Sequence, residues 1–167
     1  SFEKGRSLTL GLDYRKESLD DINKYFEFKL ATALRDSEEN FIPESSSLNK
    51  KNSNLFGSFE SKFSKNFNID YDFRVDNNYE KFEYNSVSTN LIFNNLETTF
   101  NFVKEDGLTG NESFLENSTV YKINDSNLIS FNTRRNRKLN LTEFYDLLYE
   151  YKNDCLIASI KYKKNYY

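Results

Sequence analysis

The sequence contains no histidine and a single cysteine, Cys155. Histidine is the commonest general base and the commonest metal ligand, so its absence removes the usual Ser-His arrangement and most zinc sites. One cysteine can form neither a disulfide within the chain nor a cysteine-type zinc centre. We therefore expect no enzyme activity, no metal site and no cofactor.

Long apolar runs are also missing. No stretch of about 18 consecutive apolar residues occurs, which excludes a helical membrane span. The chain has no initiator methionine and no signal peptide, and we interpret it as a fragment whose missing targeting segments say nothing about location. The net charge is only −3, with acidic and basic residues interspersed. Because nucleic-acid binding requires a basic face, no nucleic-acid partner is expected.

Aromatic residues are abundant, with 16 Phe and 12 Tyr, and apolar residues alternate with polar ones. In the clearest segment, 67–75, every second residue is apolar. Successive side chains of a strand point to opposite faces, so each such segment has one apolar and one polar face. The pattern predicts an all-β antiparallel meander of about ten strands, with open edges at 7–16 and 155–164. The alternating segments are 8–15, 26–30, 55–63, 67–75, 82–93, 96–102, 119–123, 129–133, 145–151 and 156–162.

Clusters of turn-forming residues separate these segments. The longest connection, 36–53, contains the only proline, Pro43. A change of parity near Asn85 and Ser86 predicts a β-bulge. The short turns are expected at 64–66, 76–78, 94–95, 106–107 and 124–127.

Segment 139–151 fits two patterns. Its apolar residues also recur at helical spacing, with Thr142 as a candidate N-cap. Strand is favoured because Tyr145, Leu147 and Tyr149 alternate and because aromatic residues favour strands.

The apolar faces require a second sheet or lipid to cover them, and periodicity does not separate these cases. The repeat of about 16 residues per strand and loop exceeds the 8–12 typical of sandwiches, which favours a membrane barrel. Tyrosines near strand ends fit the aromatic girdles of such barrels; they are Tyr14, Tyr25, Tyr84, Tyr121, Tyr151 and Tyr162. In a barrel, the residues expected to face lipid are Leu10, Leu12, Phe28, Ile69, Phe73, Phe100, Phe131 and Ile160. Those expected to face the lumen are Asp13, Lys29, Asp70, Asp72, Asn101 and Lys161.

Residues 134–156 read RRNRKLNLTEFYDLLYEYKNDCL. This stretch resembles the C-terminal barrel region of the LptD (OstA, organic solvent tolerance protein) family of lipopolysaccharide-assembly proteins, with alphaproteobacterial members nearest. Segments 6–11, 77–78 and 105–113 also resemble that family. The resemblance extends over essentially the whole chain and is most specific at 134–164.

The resemblance implies a large transmembrane β-barrel in the outer membrane of a Gram-negative bacterium. Its implied function is the insertion of lipopolysaccharide into the outer leaflet. The implied partners are lipopolysaccharide, a plug lipoprotein of the LptE type inside the barrel, and a periplasmic bridge of the LptA type. Residues 1–167 would then be the C-terminal portion of the barrel, without its final strand and without the N-terminal periplasmic domain that contacts the bridge.

Two groups of residues acquire expected roles from the resemblance. Family members have cysteines at a periplasmic turn that pair with the N-terminal domain, which implies an interdomain disulfide for Cys155; the alternative is a buried or incidental thiol. The connections at 36–53, 76–80, 105–112 and 137–142 would then be extracellular. Arginine pairs well with phosphate, so the basic run is expected to contact lipopolysaccharide phosphates; the alternative is a solvated strand end. The run consists of Arg134, Arg135, Arg137 and Lys138.

Two other functions remain open at this point. A porin or receptor barrel would show the same strands, although it has no need of a cysteine at this turn. A soluble or secreted β-rich binding protein would bury its apolar face against a second sheet.

Overall fold

The computed structural model describes residues 5–44 and 47–166. Ten strands follow one another along the chain, each nine to fifteen residues long. They are β1 (Ser7–Glu17), β2 (Tyr25–Arg35), β3 (Leu55–Ser64), β4 (Phe67–Val75), β5 (Phe82–Phe93), β6 (Leu96–Gly107), β7 (Gly110–Asn124), β8 (Asn127–Asn136), β9 (Leu141–Lys152) and β10 (Ile157–Asn165).

All ten strands belong to one sheet, in the order of the sequence, and every neighbouring pair is antiparallel. The all-β antiparallel meander is therefore confirmed. β1 and β10 are the two edges, as predicted, and over the described ranges they do not pair with each other, so this sheet is not closed. Within the same ranges no helix is long and apolar enough to cross a membrane.

Several local predictions can be compared with the strands. Within segment 139–151, residues 141–151 lie in β9, so the strand interpretation is confirmed. The bulge expected near Asn85 is wrong in position: the register shift between β4 and β5 lies at Glu83, because Arg74 pairs with Tyr84 and Val75 with Phe82. The turn expected at 106–107 is also wrong, since β6 continues through Gly107 and the turn is formed by residues 108–109.

The register gives the sheet two different faces. One row of paired residues on the apolar face crosses six strands and consists of Phe28, Phe59, Tyr71, Val87, Phe102 and Leu115. The eight residues predicted to face lipid all lie on this apolar face, by the same register. The six residues predicted to face the lumen all lie on the opposite, polar face.

The apolar face has almost no buried core. Among the described residues Val75 is the only hydrophobic side chain that is buried, at 8% exposure. Large apolar side chains across the sheet stay open, from Leu12 on β1, at 54% exposure, to Ile160 on β10, at 74%. No second sheet covers this face in the described part of the chain.

The meander places alternate connections at the same end of the sheet. Residues 18–24, 65–66, 94–95, 125–126 and 153–156 connect strands at one end, here called the Cys155 end. Residues 36–54, 76–81, 108–109 and 137–140 connect them at the other, here called the long-loop end. Four of the five connections at the Cys155 end have four residues or fewer, whereas the longest of all lies opposite.

Candidate functional site

Four of the six predicted girdle tyrosines lie on the apolar face. Tyr14, Tyr121 and Tyr151 lie near the Cys155 end, whereas Tyr162 pairs with Leu147 in the middle of β9. Rings pack across the strands: the Tyr14 and Phe26 centroids are 5.6 Å apart. The other two predicted girdle tyrosines lie on the polar face.

Tyr25 and Tyr84 are these two exceptions, and the girdle prediction is wrong for them. The Tyr25 hydroxyl donates to the Glu60 carboxylate on the polar side of the sheet. Tyr84 pairs with Arg74 in the register and lies near its guanidinium, with the Arg74 Cζ atom 6.0 Å from the ring centroid. Both tyrosines therefore belong to the polar network.

The polar face carries a ladder of opposite charges on β1 and β2. Lys29 Nζ lies 2.5 Å from a Glu27 carboxylate oxygen and 4.0 Å from one of Asp13. Arg15 reaches the other Glu27 oxygen at 3.4 Å. Farther along the sheet, Lys161 Nζ contacts Asp146 at 3.0 Å. These exposed pairs contribute little to stability, since water screens them, but they make this face suited to water or to a polar protein surface.

Arg74 joins the connections at the long-loop end, and sequence reasoning did not identify it. Its Nε lies 3.3 Å from Glu83, and its Nη2 lies 3.2 Å from Glu105 and donates to Thr109 at 2.5 Å. Asn54 also donates to Glu83, at 2.8 Å. The guanidinium thus ties the start of β5 to the turn between β6 and β7. The sequence places the β5 bulge near Asn85 and so does not indicate this cluster. Glu83 lies beside Arg74 only because the bulge is at residue 83.

A concavity of about 700 Å³ lies next to this cluster. Small residues of β1 and β2, Gly11 and Ala31, leave room beside the half-open ring of Phe56. By the register these three lie on the polar face in one row with Arg74. Charged groups, among them Lys29, surround the concavity. An apolar spot inside a charged face can accept one side chain of a partner.

The basic run at the β8–β9 connection is divided between the two faces. Arg134 lies on the polar face, where its Nε is 2.9 Å from Glu143 and its Nη1 is 3.4 Å from Glu116. Its guanidinium also stacks on Phe114, 4.0 Å from the ring centroid. Arg135 pairs with Leu115 and lies on the apolar face. The four residues therefore do not lie together on one face of the sheet.

Arg137 and Lys138 lie in the connection after β8. The Arg137 guanidinium is 5.1 Å from the centroid of Phe102, a residue of the apolar face. The backbone of Lys138 donates to the side-chain oxygen of Asn136 at 3.1 Å. Arg137 therefore joins Arg135 on the apolar side, while Lys138 is part of the exposed turn.

Cys155 lies in the turn between β9 and β10 as an exposed free thiol. The Asn153 side-chain oxygen accepts hydrogen bonds from the backbone N–H groups of Cys155, at 3.0 Å, and Leu156, at 2.8 Å. The Asn153 N–H donates to the Leu156 carbonyl at 2.9 Å. Such an Asx turn fixes the backbone around the thiol. The thiol is thus accessible at the end of the sheet and is not buried.

In the described ranges, no group of three or more His, Cys, Asp or Glu side chains could hold a metal ion. Comparison with models of protein families gives no match for this chain. Comparison with curated proteins gives no match either.

Proposed function

We propose that this chain is part of a transmembrane β-barrel in the outer membrane of a Gram-negative bacterium. The observation that carries the proposal is the uncovered apolar face, which extends from β1 to β10 with a single buried apolar side chain among the described residues. Burial of apolar area is the dominant favourable term in folding. A sheet that leaves this face open requires an apolar medium or another apolar surface to cover it.

The dimensions of the strands support lipid as that medium. Strands that cross an outer membrane have about 9–11 residues, with short turns at one end and longer loops at the other. Here the strands have 9 to 15 residues, and the longest connection lies opposite the Cys155 end. The polar face would then line the lumen, and the long-loop end would be extracellular.

Within this class, we propose that the chain belongs to a translocon of the LptD type that inserts lipopolysaccharide into the outer leaflet. The resemblance of residues 134–164 to that family supports this function over a porin or receptor. The exposed Cys155 at a tight turn is also what an interdomain disulfide requires. The proposed role is transport, without a catalytic site.

The partners of this proposal act at different places. Lipopolysaccharide is the cargo. A plug lipoprotein of the LptE type would contact the charged polar face, and the concavity beside Phe56 offers a place for one of its side chains. A periplasmic bridge of the LptA type would act through an N-terminal domain joined to this region by the Cys155 disulfide.

A detergent experiment separates the membrane barrel from a soluble β-rich protein. The purified protein is refolded in a neutral detergent, and its migration on a gel is compared with and without boiling. A barrel keeps its hydrogen-bonded ladder in detergent and migrates differently before boiling, whereas a soluble sheet does not. Identical migration, with the protein remaining soluble when detergent is removed, would favour the soluble alternative.

Depletion in the source bacterium tests the transport function itself. A translocon of this type should lose newly made lipopolysaccharide from the cell surface when the protein is depleted, while other outer-membrane barrels still assemble. A porin or receptor would leave surface lipopolysaccharide unchanged and would instead alter the uptake of small solutes.

A further inference from the structure

We propose that Arg135 and Arg137 form a binding site for the phosphate group of a lipid, at the rim of the apolar face. Leu115 and Phe102 would hold the first part of an acyl chain of the same lipid. This inference rests on the proposed membrane barrel and adds to it a defined lipid site, formed by two residues of the basic run and not by all four.

Arg135 is held at the rim by its own turn. Its Nη2 donates to the side-chain oxygen of Asn140 at 2.5 Å, and Asn140 has the left-handed φ of 51° that asparagine tolerates. A guanidinium has five N–H donors in a planar fork, so most of its donors remain open to a second acceptor. Phosphate oxygens suit this geometry.

Arg137 approaches the same region from the connection after β8. Its backbone N–H donates to the Ser113 carbonyl at 2.8 Å, which ties the connection to β7. Its side chain lies over the ring of Phe102. A cavity of about 390 Å³ is lined by Leu115, Arg135, Arg137 and Asn140.

The charges around the two arginines distinguish them from Arg134. Arg134 faces the carboxylates of Glu112, Glu116 and Glu143 on the polar side, so its charge is already compensated. Among the described residues no carboxylate forms an ion pair with Arg135 or Arg137. Lys104 lies on the same face and adds positive charge, while the nearby Asp106 is ion-paired with Lys81 at 3.0 Å.

The chemistry of this rim identifies the occupant. An uncompensated cation beside an exposed apolar surface is costly in the interior of a lipid layer and favourable at its boundary, where anionic headgroups lie. Leu115 is 40% exposed next to Arg135. A phosphate-bearing lipid meets both requirements of the rim, because its phosphate pairs with the two guanidinium groups and its chain covers the apolar side chains. A soluble anion would pair with the guanidinium groups but would leave the apolar side chains exposed.

Native mass spectrometry in a neutral detergent tests this site. The probes are phosphatidic acid and diacylglycerol with the same acyl chains, which differ only in the phosphate. One double variant combines Arg135→Gln with Arg137→Gln. The matched control is a second double variant that combines Lys122→Gln with Lys163→Gln, at two exposed lysines on the polar face. Both double variants lose two positive charges. Gel migration before and after boiling is recorded on the same samples.

We expect the wild-type protein to retain phosphatidic acid in preference to diacylglycerol. The arginine variant should bind phosphatidic acid about tenfold more weakly, since it loses charge-assisted hydrogen bonds, and the lysine control should stay within about twofold of wild type. Equal weakening of phosphatidic acid binding in both double variants, or equal binding of the two lipids by the wild type, overturns the lipid site but does not contradict the barrel. Displacement of phosphatidic acid by inorganic phosphate would also overturn it. If the wild-type protein migrates identically before and after boiling, both the barrel and the lipid site are refuted.

Discussion

The aromatic ring of Phe73 covers the backbone of Gly57, its paired neighbour on β3. The ring occupies the space in which a Cβ atom of residue 57 would lie. It also contacts Tyr71 at a centroid distance of 5.5 Å and Phe82 at 5.9 Å. An aromatic ring placed over a strand glycine compensates for the missing side chain.

We expect Gly57→Ala to destabilise the protein by about 1–3 kcal/mol, because the methyl group displaces the Phe73 ring. Gly11→Ala is the matched control, since a Cβ there would meet only the Leu30 carbonyl oxygen at 3.8 Å. That change should be neutral or stabilising, because glycine is unfavourable within a strand. Urea unfolding of both variants measures the difference. Equal effects at the two glycines would show that ring packing is not the cause.

Leu147 and Leu148 are adjacent on β9 and lie on opposite faces. In a bilayer, Leu147→Arg places a charge on the lipid side of the mid-strand and should cost about 2–4 kcal/mol. Leu148→Arg places the same charge among the polar side chains and should cost much less. Unfolding of both variants in lipid vesicles makes the comparison. A larger cost for Leu148→Arg would reverse the assignment of the two faces.

Cys155→Ser tests the proposed interdomain disulfide. The full-length protein should migrate differently on non-reducing and reducing gels, and the serine variant should migrate alike on both. We expect the variant to impair lipopolysaccharide export while the strands still fold, because Cys155 is exposed in a turn and supports no packing. Wild-type migration that is unchanged by reduction would contradict the disulfide. Normal surface lipopolysaccharide in the variant would contradict its role in export.

Asp36 links the start of β1 to the end of β2 in a pH-dependent way. Its carboxylate accepts a hydrogen bond from the Arg6 backbone N–H at 3.1 Å, and this bond lowers the pKa of Asp36 from its ordinary value. A lowered folded pKa means that the link is fully stabilising above the ordinary value of about 3.9 and is lost as pH falls through the folded pKa. The Arg6 amide resonance should therefore titrate below about pH 4. In Asp36→Asn, which keeps an acceptor but does not titrate, that resonance should stay constant.

The strands and their faces could be predicted from the sequence because period two is a local signal. Leu10 and Asp13, for instance, already differ in face by parity alone. Details that depend on a neighbouring strand could not be predicted. The bulge at Glu83 is determined by the pairing of β5 with β4, and the turn at 108–109 by the pairing of β6 with β7. The sequence of one strand alone indicates neither.

The candidate sites show the same division. Cys155 lies in a turn, as the sequence predicts, since Asn153 and Asp154 are typical turn residues. The sequence shows the basic run as a cluster, but it does not show how the charges of these residues are compensated. Arg134 and Arg135 lie on opposite faces by parity, whereas the carboxylates that compensate Arg134 come from β7 and β9. Such partners are visible only when the strands are assembled.

Pairing only between consecutive strands has a consequence for the order of assembly. Each hairpin must first bring its two strands together, and the entropic cost of doing so rises with the length of the connection. Residues 65–66 connect β3 to β4, whereas residues 36–54 connect β2 to β3. The roughly tenfold longer connection adds about 2 kcal/mol to closure. We therefore expect strands β3 to β10 to pair into a sheet first, and the β1–β2 hairpin to pair with β3 in a separate, later step.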